Sequence, residues 1–311
     1  MNTVLVMGGA GFIGSNLCKV LLEKNYKVYC LDNLSTGSTR NIVKYINNPN
    51  FTFVEHDVRE KFNLSCDWII NLASPASPQR YQVNPVGTLI TNFQGTLNGL
   101  ELARATGSRF IQASTSEVYG DPEIHPQTES YWGNVNPIGI RSCYDEGKRA
   151  AETLCSDFHR QYNVKSTIVR IFNTYGPGMA RDDGRVVSNF IVQALEGKDL
   201  TIYGNGLQSR SLCYIDDLIY AFLSIMERPK DIESPINIGN PEEITMIDLA
   251  TKIIKLTMSN SKYVYRSLPQ DDPQKRQPDI TLAKKVLDWQ PLVELEVGLK
   301  ATIAYFQGLN D

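Results

Sequence analysis

The chain has 311 residues, 42% hydrophobic and 21% charged, with a formal net charge of −3, proportions ordinary for a folded water-soluble protein. Slight acidity without any long run of Lys or Arg argues against a nucleic-acid or anionic-membrane surface. No apolar run approaches the roughly 20 residues that span a bilayer, and the start of the chain lacks the basic segment and cleavage site of a secretion signal, so a cytoplasmic protein is expected.

Short β-branched runs alternate with longer amphipathic stretches through the first half. Thr3–Met7 reads as a strand and residues 15–24 as the helix after it. Residues 27–31 form a second strand, followed by a loop rich in Asn, Ser, Thr and Gly. Phe51–Glu55 and residues 68–72 are the third and fourth strands, 86–105 a long helix and 109–113 the next strand. A second long helix covers 143–162, and a strand 166–172 follows. From 177 to 206 the signals shorten to brief helical stretches around a loop of Arg and Asp at 179–185. Residues 235–239 read as a late strand, while 245–258 and 280–287 are helical, Asp279 being a candidate N-cap for the last.

Alternation of this kind builds a parallel sheet with helices on both faces. The expected fold is therefore α/β: a Rossmann-type doubly wound parallel sheet over residues 1–175, to which a segment near 207–240 returns, and a smaller, partly interwoven substrate lobe at 176–311. Six scattered cysteines without CxxC or zinc-type spacing read as reduced thiols, and no metal is expected.

Between the first strand and first helix lies Gly8-Gly9-Ala10-Gly11-Phe12-Ile13-Gly14. Glycines at Gly8, Gly11 and Gly14 permit a tight turn and let the N–H groups of Phe12 and Ile13, at a helix N-terminus, approach a pyrophosphate. A glycine loop alone is a weak signal; here the second strand also ends in Asp32, followed by Asn33. A carboxylate there accepts from ribose hydroxyls and repels a 2′-phosphate, which favours NAD over NADP. Asp57 and Val58 fall where such folds hold the adenine edge, and Leu72 and Ser74 close the fourth strand beside the expected cofactor.

Tyr144 and Lys148 are one helical turn apart, so both emerge from one face. A neighbouring ammonium favours phenolate, which predicts a Tyr144 pKa lowered toward that of a general base. The pair follows a strand ending in Ser114-Thr115-Ser116-Glu117.

The glycine loop, strand-end Ser/Thr and Tyr-x-x-x-Lys together resemble the extended short-chain dehydrogenase/reductase family, also called NAD-dependent epimerases/dehydratases, which act on nucleotide sugars. Longer runs resemble the UDP-glucuronate decarboxylases within it: STSEVYGDP at 114–122, YWGNVNPIG at 131–139, RSCYDEGKR at 141–149, RIFNTYGP at 170–177, DGRVVSNFI at 183–191 and DDPQKR at 271–276. The resemblance covers nearly the whole chain. It implies NAD as cofactor, a UDP-sugar substrate and a homodimer paired through the two long helices. It implies that Tyr144 takes the proton of the sugar C4 hydroxyl, that Thr115 orients that hydroxyl, and that Lys148 holds the nicotinamide ribose. The resulting 4-keto sugar acid is a β-keto acid that loses carbon dioxide, and the ketone is then reduced again, so NAD is regenerated in each cycle. Glu117 and Arg276 are implied around the carboxylate and C5, although a planar guanidinium suits a phosphate as well, which leaves the diphosphate as the alternative partner of Arg276. Arg185, Arg210 and Asn173 are candidates for the diphosphate and sugar, and Tyr203 and Val187 for the walls around the uracil.

Ser116 bears on the choice of reaction. A sugar 4,6-dehydratase must protonate a leaving hydroxide, and its related motif carries Asp before the Glu; a serine is far too weak an acid, whereas carbon dioxide leaves unprotonated. The alternatives are that dehydratase, a C4 epimerase, an oxidative decarboxylase that stops at the 4-keto sugar, and a non-catalytic NAD-binding scaffold.

Overall fold

The computed structural model describes residues 2–228, 232, 234–268 and 276–309. In chain order the first half runs β1 (Thr3–Met7), α1 (Phe12–Glu23), β2 (Lys27–Asp32), β3 (Phe51–Glu55), β4 (Trp68–Asn71), α2 (Pro78–Tyr81), α3 (Pro85–Thr106), β5 (Arg109–Thr115), α4 (Ser142–Tyr162) and β6 (Ser166–Ile171). The second half continues β7 (Thr174–Tyr175), α5 (Val186–Leu195), β8 (Leu200–Tyr203), β9 (Ser209–Ser211), β10 (Cys213–Tyr214), α6 (Ile215–Glu227), β11 (Ile236–Ile238), β12 (Glu243–Thr245), α7 (Met246–Thr257), β13 (Tyr263–Arg266), α8 (Thr281–Leu287) and α9 (Leu295–Gln307).

Seven of these strands pair in parallel in the order β11-β6-β5-β4-β1-β2-β3. The period of two along each strand sends alternate side chains to opposite faces. Leu5, Met7, Leu31, Ile69 and Phe110 therefore pack with Leu100 and Ala103 of α3 and Cys155 and Phe158 of α4. Val4, Val6, Val28, Ile70 and Ile111 face the other way, onto Leu17 and Leu21 of α1 and Leu218 and Phe222 of α6. Strand order reverses between β1 and β4, which opens a crevice at their C-terminal ends. Outside the sheet, α5, α7 and α9 pack together over the parallel pair β8 and β13.

The α/β doubly wound architecture is as expected, and the expected late strand is β11, added to the sheet edge beside β6. Several bounds differ. Helix α1 starts at Phe12, with Gly11 at its N-cap, so the glycine loop feeds straight into the first turn. Pro85 opens α3, and the Asn84 side chain accepts from the Gly87 N–H at 2.9 Å, a cap that the reading of 86–105 leaves out. Asp279 is not the N-cap of α8: Ile280 holds that position, while Asp279 Oδ1 accepts from the Thr281 N–H at 2.7 Å. Helices α6 and α9 have no counterpart in the sequence reading. In α6 nine of the positions are buried, Ile215, Leu218, Ile219, Phe222 and Leu223 among them, and so broad an apolar surface blurs the helical period.

Candidate active site

The crevice holds a cleft of about 800 Å³. Its floor on the β1 side is the glycine loop. Gly8 has φ +77°, and a Cβ there would stand 2.8 Å from the Ala73 backbone, which closes β4. A Cβ on Gly14 would stand 2.2 Å from the Gly8 carbonyl oxygen. Only glycine lets the loop, α1 and the end of β4 approach this closely. Gly8, Gly11, Phe12, Ile13 and Gly14 line the cleft, as do Leu72 and Ser74.

Asp32, Asn33, Asp57 and Val58 are not among the lining residues. Asp32 is buried beneath the loop, accepting from Ala10 N–H at 3.0 Å and Leu34 N–H at 2.8 Å, and burial raises its carboxyl above the usual range. The Asn33 amide donates to Asp57 at 3.0 Å, and Arg59 pairs with Asp57 at 2.6 Å, holding that carboxyl down at about 2. The Val58 side chain is buried against Gly95, and its carbonyl accepts from the Asn98 amide at 2.9 Å. A cradle no Cβ could share, a helix N-terminus opening on it and an anchored carboxylate at the end of β2 suit a dinucleotide.

Across the cleft, β5 ends at Thr115 and breaks into one turn of 3-10 helix, with the Thr115 hydroxyl accepting from the Glu117 N–H at 3.2 Å. Gly120 stops the turn at φ +62°. Helix α4 brings Tyr144 and Lys148 alongside. Lys148 Nζ donates to the Ala113 carbonyl at 2.9 Å and stands 5.8 Å from the Tyr144 ring centre. Burial pushes the Lys148 ammonium down to about 8, with Glu152 one turn further along opposing. The expected lowering of the Tyr144 pKa is not what this site does. Burial raises the phenol well above its ordinary value, and the hydrogen bond with Thr115 is the main opposing influence. Ionising a buried phenol costs desolvation, and here that cost exceeds the influences that oppose it.

Thr115, Glu117, Tyr144, Lys148 and Arg276 all reach the cleft. Arg276 arrives from the far end of the chain and grips Glu117 with both nitrogens, Nη2 to Oε2 at 2.9 Å. Arg141, directly before α4, donates to the same Oε2 at 2.7 Å. Burial alone would raise the Glu117 carboxyl; Arg276 and Arg141 reverse that and hold it down at about 2. The remainder of the 271–276 motif lies outside the described residues.

Asn173, Arg185, Val187, Tyr203 and Arg210 also line the cleft. Arg185, at the N-cap of α5, pairs with Asp183 at 2.8 Å and lies 5.7 Å from the Phe12 ring. Arg210 sits on β9 paired to β12, donating to the Ser209 carbonyl at 2.8 Å.

Among the cleft residues that the sequence does not single out are Arg141 and Tyr81. Arg141 precedes the Tyr-x-x-x-Lys pair, but its contact with Glu117 crosses 24 positions and no spacing announces it. Tyr81 lies in a stretch that reads as a bare connection, yet α2 stacks its ring on Tyr144 with centres 5.1 Å apart and planes 6° from parallel.

The NAD dependent epimerase/dehydratase family profile matches residues 4–239. The chain is 52% identical over 303 residues to UDP-glucuronic acid decarboxylase 1 of Danio rerio, covering 97% of this chain and 72% of that protein. It is 54% identical to UDP-glucuronic acid decarboxylase 6 of Arabidopsis thaliana, covering 95% and 86%. The crystal structure of the UDP-glucuronic acid 4-epimerase from Bacillus cereus, in complex with UDP-glucuronic acid and NAD, superposes with a TM-score of 0.89 at 31% identity, covering 99% of both chains. With its family profile matched over residues 4–239 and relatives at about half identity over nearly the whole chain, the chain belongs to the NAD dependent epimerase/dehydratase family, with UDP-glucuronic acid decarboxylases among those relatives.

Proposed function

We propose that the protein converts UDP-glucuronate to UDP-xylose and carbon dioxide. The observation that carries this reading is the Glu117 carboxylate held between Arg276 and Arg141 at the cleft, beside Thr115 and Tyr144, with Ser116 where a proton donor for dehydration belongs. NAD, when bound, supplies a hydride acceptor that later returns the hydride, and Lys148, Tyr144 and the glycine loop would hold it.

The Thr115 hydrogen bond is the main influence favouring the ionised form of Tyr144, which must form against burial; that phenolate accepts the proton of the C4 hydroxyl as the C4 hydride departs, and Thr115 orients that hydroxyl. The C5–C6 bond then breaks; its electron pair passes into the C4 carbonyl as an enolate, and carbon dioxide leaves. The cationic pair Arg141 and Arg276 places positive charge where the carboxylate sits and the enolate forms. The enolate takes its proton at C5 from solvent; Glu117, held ionised by Arg276 and Arg141, is not the donor. Tyr144 returns its proton to the C4 oxygen as the hydride comes back, so the dinucleotide ends as it began.

Arg185, Arg210 and Asn173 serve the diphosphate and sugar in this reading, and Val187 and Tyr203 flank the base. Residues 1–175 with β11 make the dinucleotide half, and the segments around α5, α7 and α9 the sugar half. A homodimer forms through α3, where Val86, Leu89, Ile90 and Phe93 recur at helical spacing and each is 42–68% exposed. Six unpaired cysteines suit a reducing compartment such as the cytoplasm. No helix among the described residues is long and apolar enough to cross a membrane.

Purified protein with UDP-glucuronate and catalytic NAD tests the reading, with sugar products followed by NMR and NADH by absorbance. UDP-xylose without lasting NADH supports it. Accumulating NADH with a 4-keto pentose replaces it by an oxidative decarboxylase, and UDP-galacturonate as product replaces it by a C4 epimerase.

A further inference from the structure

Behind the cleft runs a buried polar chain that the reaction derived above does not use. Glu152 on α4 pairs with Arg170 on β6 at 2.7 Å. Arg170 Nη1 donates to the Tyr119 hydroxyl at 3.0 Å, and that hydroxyl donates to Asn237 Oδ1 on β11 at 2.7 Å. The Asn237 side-chain nitrogen donates to the Gln127 carbonyl at 3.0 Å and to the Asp279 carbonyl at 3.1 Å. Asn237 and Gln127 are 0% exposed, and neither they nor Tyr119 line the cleft.

The two ends of the Asn237 amide reach the two sides of the active site. Tyr119 lies on the 3-10 turn that carries Glu117. Asp279 follows closely on Arg276, and Gln127 is bound to the same stretch. Gln127 Oε1 accepts from the Gln277 N–H at 2.9 Å. Its backbone N–H donates to the Gln277 carbonyl at 2.9 Å, and its carbonyl accepts from the Asp279 N–H at 2.9 Å. A guanidinium only donates, so the Tyr119 hydroxyl accepts from Arg170 and turns its hydrogen toward Asn237. Asn237 therefore presents oxygen to the Glu117 side and nitrogen to the two carbonyls on the Arg276 side. An aspartate there would keep the first contact and set oxygen against oxygen at the other two.

We infer that Asn237 is a positioning residue that holds the Glu117 turn and the Arg276 segment in register, and so brings the Arg276 guanidinium onto Glu117 across 159 positions of chain. This rests on the proposed function, which gives Glu117 and Arg276 their part in the reaction. An asparagine that merely sealed β11 into the sheet edge would matter to the same degree whether or not Arg276 were present.

The test is a double-mutant cycle on the full chain with NAD. In Asn237→Asp, kcat/KM for UDP-glucuronate should fall about 10²-fold, as for a misplacement of about 1 Å at the reacting groups, while NAD affinity stays within about twofold. With Arg276→Ala already in place, the same change should cost less than about threefold, because the group it positions is gone. Tyr119→Phe removes the contact on the Glu117 side and keeps the ring, so it should follow the same pattern with a fall of about tenfold. A fall of equal size with and without Arg276, or no fall in either background, overturns the inference. If Asn237→Asp does not fold, Tyr119→Phe decides by the same comparison. NMR identifies the product throughout. A 4-keto pentose or UDP-galacturonate removes the decarboxylase reading, and the cycle, run on that reaction, still decides the inference. A wild type that does not turn over UDP-glucuronate removes both.

Discussion

Tyr144 is the residue whose behaviour departs furthest from what its neighbours in sequence suggest. Spacing alone pairs it with Lys148; burial then raises its phenol, and the Thr115 hydrogen bond is the main influence opposing that rise. Tyr144→Phe keeps the ring stacked on Tyr81 and removes the hydroxyl, so kcat should fall about 10²–10⁴-fold, the usual worth of a general base, while NAD still binds. Turnover and a cofactor titration check this. Glu117 gives a prediction about acid stability. Its folded pKa, about 2, lies below the 4.5 of an ordinary Glu, so the unfolded chain holds the proton more tightly. Its contribution is fully present above about pH 4.5 and is lost as pH falls toward about 2. Glu117→Gln leaves two buried guanidiniums short of a counter-charge and should cost about 3 kcal/mol near neutral pH. The gap between wild type and variant in denaturant melts should close as the pH is lowered through that window.

At the scale of elements, the site depends on how β5 ends. The turn at Ser116–Tyr119 aims Glu117 at Arg141 and Arg276, and Gly120 allows the chain to leave that turn against the 131–139 segment. A Cβ on Gly120 would stand 2.0 Å from the Asn134 carbonyl oxygen, on a residue already at φ +62°. Gly120→Ala should therefore lower the melting temperature and weaken UDP-glucuronate binding together, whereas NAD affinity, set on the β1 side, should change little. Thermal melts and separate titrations of the two ligands distinguish this from general unfolding. The strands of the sheet, with their runs of apolar β-branched residues, match their predicted positions within one or two residues, because two-sided burial writes itself into consecutive positions. Helix α2 is a single turn begun by Pro78 and carries no period to detect, although it delivers Tyr81 to the ring of Tyr144.

For the whole molecule, the apolar stripe on α3 is the surface that most needs covering. Leu89 and Phe93 are 42% and 43% exposed one turn apart, beside Val86 and Ile90. Replacing Leu89 and Phe93 by Glu should turn a dimer into a monomer, with each fold intact, as read by light scattering and circular dichroism. A wild-type chain that is monomeric at micromolar concentration would remove the proposed interface.

By itself the sequence determined the chemistry that local spacing can hold: the glycine loop with its strand and helix, Asp32 at the end of the second strand, and a Tyr and Lys on one helical face. These are short-range facts, because 3.6 residues per turn and two per strand repeat decide which side chains share a face. Only the tertiary structure decided that Glu117 meets Arg276 across 159 positions, that Arg141 joins them, and that Tyr81 stacks on Tyr144. It also decided the sign of the Tyr144 shift and buried the Asp145 Oδ1 without a hydrogen-bond partner among the described residues. Desolvation and long-range ion pairing arise when distant segments close over one another, and no local pattern of residues encodes them.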